Sequence, residues 1–175
     1  TIAFDKTGTL TLGKPQLTEL VSLNGQPETE LLALAAAIEQ GSHHPLARAV
    51  VANATEQGLT LAEARDLRAL PGMGVEGRIN GELWQLLAPS RVAALNMEQQ
   101  TRIASLERQG KTVVVLCQSS DAQALPVALL ALRDQIRPEA AAALQELNRL
   151  GLNSIMLTGD NPRAAEAIAT ELGMG

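Results

Sequence analysis

Apolar positions follow one pattern at the two ends of the chain and another in its middle. At the ends, short apolar runs alternate with stretches of helical period, which is typical of a parallel sheet covered by helices. The predicted elements of this kind are strands at 1–4 and 154–157 and helices at 138–150 and 162–172. Residues 6–15, rich in Gly, Thr and Lys, are predicted to be a loop. The two ends therefore predict one α/β domain that the middle of the chain interrupts.

The middle of the chain has the pattern of an α+β unit. Helices are predicted at 27–39, 45–57 and 97–109, the first of them apolar on most sides and therefore buried. The predicted strands lie at 16–23, 64–70, 74–80, 82–87, 112–118 and 124–132. Asn80-Gly81 is a tight hairpin signal between two of them. We predict that residues 16–132 form an inserted domain, built on an antiparallel sheet flanked by helices, and that 1–15 and 133–175 form the interrupted one.

Composition restricts the classes of partner. The 175 residues are 46% hydrophobic, carry a net charge of −5 and contain no run of Lys or Arg, so a nucleic-acid partner is disfavoured. Trp84 and the single cysteine, Cys117, are predicted to be core residues, and an internal disulfide is excluded. No apolar run approaches the roughly 20 residues that cross a bilayer. Because the first residue is not Met, we expect a piece of a longer protein.

Two aspartates follow the predicted parallel strands. Asp5 comes after the first strand, with Thr7 two places later, and Asp160 comes after the second, preceded by Thr158 and Gly159. Ligands of open α/β sheets bind at the carboxyl ends of the strands, and turn N–H groups with a helix N-terminus suit a phosphate. A carboxylate there can attack a phosphoryl group, with Mg²⁺ between the phosphate oxygens and Asp5. The sequence therefore predicts a phosphoryl-transfer site.

Position 7 decides how long a phosphorylated Asp5 would last. An aspartyl-phosphate hydrolyses quickly beside a general acid or base, and Thr7 cannot act as one near neutral pH. A long-lived intermediate is expected. The simpler alternatives are that Asp5 is a turn residue and that Asp160 caps a helix.

These strings resemble motifs of P-type ATPases. "DKTGTLT" at 5–11 resembles their phosphorylation motif, "TGD" at 158–160 their second phosphate-site motif, and "RDQIR" at 133–137 their hinge motif. The resemblance implies a HAD-like (haloacid dehalogenase-like) Rossmannoid phosphorylation domain in which Asp5 is the phosphorylated nucleophile. It also implies that Lys6, Thr7, Thr158, Gly159 and Asp160 complete the catalytic site, and that Asp5 and Thr7 form part of a Mg²⁺ site.

The inserted domain resembles the nucleotide-binding domain of the heavy-metal-transporting class. "SHHPLARAV" at 42–50 is similar to the Ser-x-His-Pro motif of that class, with His44 at the matching position. Glu39 stands where the class has a nucleotide-contacting glutamate, and Gly72 and Gly74 match its glycine pair. The resemblance implies that these four residues bind ATP. His43 matches no motif position and is interpreted as a surface residue.

Over the whole chain the sequence most resembles those of bacterial zinc, cadmium and lead exporters. That resemblance implies a cytoplasmic domain of an inner-membrane protein, partnered by the actuator domain and membrane helices of its own chain and not itself binding the transported metal. Two features depart from the family: its Gly-Asn pair is missing near 86–92, and its later lysine and "GDGxND" segment are absent. We therefore expect an incomplete phosphorylation domain that binds ATP without full turnover.

Four alternatives remain open. The first is a copper-type heavy-metal ATPase. The second is a HAD-family phosphatase with a cap domain, which Thr7 disfavours because such an enzyme needs an acid at that position. The third is a nucleotide-binding or regulatory module without catalysis. The fourth is a metal-binding domain, which the lack of a His, Cys or acidic cluster with ligand spacing disfavours.

Overall fold

The computed structural model describes residues 1–174, in which two sheets are present. The elements in chain order are β1 (Ile2–Asp5), β2 (Thr11–Ser22), α1 (Glu28–Glu39), α2 (Pro45–Glu56), β3 (Ala64–Leu70), β4 (Gly74–Ile79), β5 (Glu82–Leu87), α3 (Met97–Glu107), β6 (Thr112–Ser120), β7 (Gln123–Ile136), α4 (Ala140–Arg149), β8 (Ser154–Leu157) and α5 (Pro162–Glu171). We call β1, β8, α4 and α5 the parallel unit. The remaining strands and helices form the six-stranded unit.

The parallel unit is built on the pair β1–β8. The two strands run parallel, with Asp5 opposite Leu157 at their carboxyl ends. Phe4 of β1 and Met156 of β8 lie on one face of this pair. There they pack against Leu144 of α4 and Ile168 of α5. This register places the turn after β1 and the turn after β8 at the same edge, as the sequence predicts.

The six-stranded unit is an antiparallel sheet with helices on both faces. Its strand order is β2-β7-β6-β5-β4-β3. Helices α1 and α2 cover one face, in a core that includes Leu31, Val50 and Trp84. Helix α3 covers the other face, with Ile103 against a cluster that contains Cys117. Both Trp84 and Cys117 are buried, which confirms their prediction as core residues.

The predicted loop over 6–15 is wrong in its second half. Strand β2 begins at Thr11 and β7 continues to Ile136, so the two strands pair as an antiparallel ribbon between the units. Gly13, at φ +72°, and Pro15 suggest a loop by local propensity, but a register shift between Thr11 and Pro15 accommodates them. Proline is tolerated because β2 is an edge strand. The predicted domain boundaries at 15/16 and 132/133 lie within this ribbon.

The other predicted elements agree in type with the observed ones and differ at their ends by a few residues. In residues 1–174, every helix is too short or too polar to span a bilayer.

Candidate functional site

The turn after β1 presents Asp5 and turns Lys6 inward. Asp5 is exposed, whereas Lys6 is 8% exposed. Gly8 takes a left-handed conformation, φ +81°, and lets the turn close back toward β2. The Thr11 hydroxyl accepts from the Gly8 amide at 3.3 Å. The first sequence motif thus forms one compact turn with an exposed carboxylate at its start.

The predicted hinge motif holds this turn from the side. The Asp134 carboxylate accepts from the Thr11 hydroxyl at 2.6 Å and from the Lys14 amide at 3.0 Å. The Arg137 guanidinium donates to the Gly8 carbonyl at 3.1 Å. Residues of the β7 end therefore fix both the phosphorylation-motif turn and the start of the ribbon.

Asp160 is the most heavily hydrogen-bonded carboxylate of the site. Lys6 Nζ lies 2.8 Å from its Oδ2, and the two side chains are 11% and 10% exposed. The Asn161 amide donates to Oδ1 at 2.9 Å, and the Thr112 hydroxyl lies 3.0 Å from the same oxygen. The Thr158 hydroxyl accepts from the Asp160 amide at 3.0 Å. The two phosphate-site motifs are thus joined by a largely buried ion pair.

Asn161, and not Asp160, caps the helix that follows. Its side-chain oxygen accepts from the Ala164 amide at 2.8 Å, and Pro162 occupies the first turn. The alternative that Asp160 is a helix cap is therefore wrong. The first turn of α5 follows directly on the 158–160 loop, and a helix N-terminus favours an anion nearby.

His44 caps α2 through one ring nitrogen. Its Nδ1 accepts from the Leu46 amide at 3.2 Å, which leaves Nε2 as the position that carries the proton in a neutral ring. His44 is exposed, and so is its neighbour His43, in agreement with the prediction for His43. His44 thus makes a capping hydrogen bond through Nδ1 and leaves its Nε2 edge available to a ligand.

A cavity of about 450 Å³ lies between the two units. His44 and Thr112 line it from the six-stranded unit, and Lys6, Thr7 and Asp160 line it from the parallel unit. Thr158 and Gly159 also line it. The structure therefore brings the predicted histidine and both predicted phosphate motifs to one space.

Three predicted nucleotide residues lie outside the lining of that cavity. Gly72 and Gly74 flank the turn between β3 and β4, and Glu39 is the last residue of α1. Gly72 has φ +71° and open space where a Cβ would be. A Cβ on Gly74 would lie 1.8 Å from the Leu86 carbonyl oxygen. Gly74 is thus required by contact with the neighbouring strand, whatever it does for a ligand.

Burial raises the pKa of the Glu39 carboxyl from 4.5 to about 7. Near neutral pH a substantial fraction of Glu39 is therefore protonated. In that form the group both donates and accepts a hydrogen bond, as pairing with the edge of a purine requires.

Glu39→Gln is expected to stabilise the chain at pH 8 and to change it little at pH 5. The folded pKa lies above the unfolded one, so folding takes up a proton between about pH 4.5 and 7. The contribution of Glu39 to the free energy of unfolding therefore becomes less favourable as pH rises through this window and stays unfavourable above it. Gln cannot ionise, and the gain at pH 8 is about 1–2 kcal/mol after allowance for partial exposure. Urea unfolding at several pH values measures it, and a pH-independent difference would contradict it.

The residues present fit Mg²⁺ only as a companion of a phosphate. Among residues 1–174, no three His, Cys, Asp or Glu side chains are grouped to hold a metal. Asp160 is already engaged by Lys6 and Thr112, whereas Asp5 is exposed. Mg²⁺ is commonly bound through one or two carboxylates, phosphate oxygens and water, and Asp5 can supply one carboxylate.

Sequence reasoning missed two residues of this region. Thr11 lies in the phosphorylation motif, which assigns it no role by itself, and it joins that turn to Asp134. The sequence predicts Thr112 only as the start of a strand, and it contacts Asp160 from the other unit. A threonine at the start of a strand is too common to signal such a contact.

Comparison with known proteins assigns the chain to a family. A model described as a hydrolase, haloacid dehalogenase-like, matches residues 1–175. The chain belongs to the haloacid dehalogenase-like hydrolases. This membership confirms the predicted HAD-like fold class.

The resemblance of this haloacid dehalogenase-like chain to heavy-metal P-type ATPases is also confirmed. It is 46% identical over 173 residues to the zinc/cadmium/lead-transporting P-type ATPase of Escherichia coli, covering 99% of this chain and 23% of that protein. It is 40% identical to copper-exporting P-type ATPase B of Archaeoglobus fulgidus, covering 99% of this chain and 24% of that protein. The chain thus spans about a quarter of the length of these curated relatives.

Solved structures of the same class match the fold. A crystal structure of a zinc-transporting PIB-type ATPase in the E2.Pi state matches with a TM-score of 0.74 and 46% identity, covering 98% of this chain and 28% of that one. The catalytic CPx-ATPase domain CopB-B matches with a TM-score of 0.70 and 28% identity, covering 100% of this chain and 58% of that one.

Proposed function

We propose that this chain is the ATP-binding and phosphoryl-accepting region of a P-type ATPase that exports a heavy-metal divalent cation. Zinc, cadmium or lead is the favoured cargo, because a relative at 46% identity carries that name. The observation that carries the proposal is the cavity in which His44 faces Lys6, Thr7 and Asp160. A nucleotide held at His44 by one unit would have its phosphates near the two phosphate motifs of the other.

ATP would be bound at its nucleoside end by the six-stranded unit. His44 offers the ring edge left by its capping bond, and a protonated Glu39 can pair with the adenine edge. Gly72, with no atom where a Cβ would be, lets a nucleotide approach the backbone, and Gly74 fixes the turn that presents it.

Transfer would take place on Asp5. A carboxylate oxygen of Asp5 forms a bond to the γ-phosphorus while the bond from that phosphorus to the β–γ bridging oxygen breaks, and ADP leaves with the electron pair. The Lys6 ammonium would neutralise charge on the phosphoryl oxygens, and the hydroxyls of Thr7 and Thr158 with the N–H groups of the 158–160 loop would donate hydrogen bonds to them. Asp5 would supply one carboxylate to Mg²⁺, which would contribute charge neutralisation. Thr7 cannot activate water, so the aspartyl-phosphate persists.

The proposal extends to the whole protein. The persistent phosphoenzyme would drive a change in membrane helices that belong to the same polypeptide, with this region on the cytoplasmic side. The actuator domain and the membrane helices are then its partners, and the transported metal binds outside residues 1–175.

A copper-type exporter is the second candidate. A relative described as a probable copper-exporting P-type ATPase is 42% identical over 175 residues. The two identities, 42% and 46%, differ little, and none of the proposed site residues contacts the transported metal. The site therefore does not distinguish copper from zinc, cadmium or lead as the cargo.

His44→Asn is expected to weaken ATP binding by about tenfold or more, the factor that loss of one well-placed ring contact produces. Asn preserves a side-chain cap on α2, so the change removes the ring edge without removing the helix start. A two-dimensional NMR titration with ATP, and with AMP for comparison, measures the affinity and locates the site.

His43→Asn is the matched control, because His43 is also exposed and lies next to His44, and its ATP titration should equal that of the parent chain. Shifts near Glu39, His44, Gly72 and Gly74 support the proposal. Shifts confined to the Asp5 turn, or an unaltered affinity in His44→Asn, would refute the assignment of the nucleotide site.

A further inference from the structure

The two units touch along one flank, where α5 meets the end of α3. Arg163 of α5 lies 3.0 Å from the carboxylate of Glu107, which is 6% exposed. On the same flank Arg133 pairs with Glu171 and donates to the Gln109 carbonyl at 3.2 Å. We call this region the α3–α5 flank. Direct contacts join the two units here, and Glu107 and Arg163 also line a cavity of about 600 Å³.

Packing on the flank is close as well as polar. A Cβ on Gly110 would lie 2.8 Å from Ile168 Cδ1, and Ile168 is 2% exposed. Gly110 precedes β6 and Ile168 lies in α5, so the two units approach each other here without room for an added methyl group. This contact packs the units together at the border of the 450 Å³ cavity, which Gly110 and Ile168 also line.

Thr112 makes the contact that reaches the phosphate motif. It is the first residue of β6, and its hydroxyl lies 3.0 Å and 3.1 Å from the two carboxylate oxygens of Asp160. Because the carboxylate accepts and the hydroxyl carries a single hydrogen, this is one shared, charge-assisted hydrogen bond. Such bonds are about twice as strong as neutral ones.

Thr112 is the partner of Asp160 that comes from the other unit. Lys6 and Asn161, the remaining groups bonded to that carboxylate, belong to the same side of the ribbon as Asp160 itself. The Asp160 carboxylate is 10% exposed, and the nearby Arg163–Glu107 and Arg133–Glu171 pairs each have one more exposed partner, Arg163 at 54% and Glu171 at 53%, while the Glu107 side chain is 8% exposed. Thr112 is thus the contact across the units that reaches the phosphate-motif carboxylate itself, beside two ion pairs that join α5 to the six-stranded unit.

The position of the bond divides the space between the units. Thr112 and Asp160 line both the 450 Å³ cavity on the His44 side and a second cavity of about 600 Å³ on the α3 side. The hydrogen bond stands between the two spaces. Thr112 and Asp160 therefore belong to the wall that the two cavities share.

We propose that Thr112 is a positioning residue that ties the six-stranded unit to Asp160. Its hydroxyl orients the carboxylate beside Lys6 and holds the two units together at the α3–α5 flank in the chain without nucleotide. The role given to Asp160 rests on the proposed function. The closure itself does not depend on nucleotide.

The test measures the distance between the units without nucleotide. Spin labels are attached at Glu56→Cys in α2 and Gln145→Cys in α4, both exposed positions. Cys117 is buried with its thiol pKa raised to about 12 by burial, so it does not compete for the label. Electron–electron dipolar spectroscopy then compares the parent with Thr112→Val, which keeps the shape and removes the hydroxyl, and Thr112→Ser, which keeps the hydroxyl.

The parent and Thr112→Ser are expected to give one narrow distance distribution. Thr112→Val should give a broader one with a shifted mean, the ratio of open to closed chains rising by about tenfold, as loss of one charge-assisted hydrogen bond implies. Thr112→Ala is measured in the same way if Thr112→Val does not fold. Distributions that superimpose for all variants would overturn the proposal, as would a shift of equal size in Thr112→Ser.

An ATP titration of the same samples separates this proposal from the proposed function. Closure that depends on the Thr112 hydroxyl in a chain that does not bind ATP supports the positioning role and refutes the nucleotide site. ATP binding in a chain whose distance ignores Thr112 supports the nucleotide site and overturns the positioning role.

Discussion

Gly74→Ala is expected to destabilise the chain by about 3 kcal/mol or more. The added Cβ would lie 1.8 Å from the Leu86 carbonyl oxygen and 2.9 Å from its carbonyl carbon, so strand β5 must move away from β4. The backbone at Gly74, φ +148°, is also one that residues with a side chain rarely adopt. Urea unfolding followed by circular dichroism measures the free energy of unfolding.

Gly72→Ala is the matched control two residues earlier. Its φ of +71° strains an alanine, but no atom lies within 4 Å of the added carbon. The expected cost is therefore about 1 kcal/mol. Equal losses at the two positions would show that backbone strain dominates and that the approach of β5 is not limiting.

Lys6→Met is expected to cost about 3 kcal/mol of folding stability. It removes the ammonium 2.8 Å from Asp160 and leaves that carboxylate, 10% exposed, without its countercharge. The ordered hydrogen bonds from Thr112 and Asn161 remain and limit the loss. Thermal or urea unfolding at pH 7 measures it.

A double change identifies the cause. Lys6→Met with Asp160→Asn removes the unpaired charge and should recover most of the loss, giving a coupling energy of opposite sign to the single effects. Arg149→Met breaks the exposed Arg149–Glu146 pair, with side chains 78% and 65% exposed, and should change stability by less than about 0.5 kcal/mol. A loss in Lys6→Met that Asp160→Asn fails to relieve would assign it to packing.

Sequence pattern was sufficient for elements whose signals are local. The pairing of β1 with β8 follows from two short apolar runs that each end in a polar turn, and the hairpin at Asn80-Gly81 follows from its turn residues. It was insufficient over 11–15, because Gly13 and Pro15 suggest a loop by themselves. Their place in a strand depends on a partner, β7, more than one hundred residues later.

The site residues likewise include some that local motifs predict and some that only the fold reveals. Contiguous motifs located Asp5, Asp160 and His44, and the fold places Asp160 and His44 at one cavity with the turn that Asp5 begins. The contact between Thr112 and Asp160 spans 48 residues and two units, and no local pattern marks it. Gly74 is required because a side chain there would clash with Leu86 of β5. The Gly72 and Gly74 pair in the sequence does not show that β5 packs so closely.

The ribbon of β2 and β7 has a kinetic consequence. Two hydrogen-bonded strands, paired from Thr11 and Ile136 to Ser22 and Ala128, resist the swivelling that a single flexible linker would allow and permit bending across their plane. Under the proposed function, a phosphate carried by one unit would meet the other at an effective concentration set by this bending, commonly in the millimolar range or above for short tethers. With nucleotide bound, the frequency of its encounter with Asp5 would depend on the stiffness of the ribbon and not on the concentration of ATP in solution.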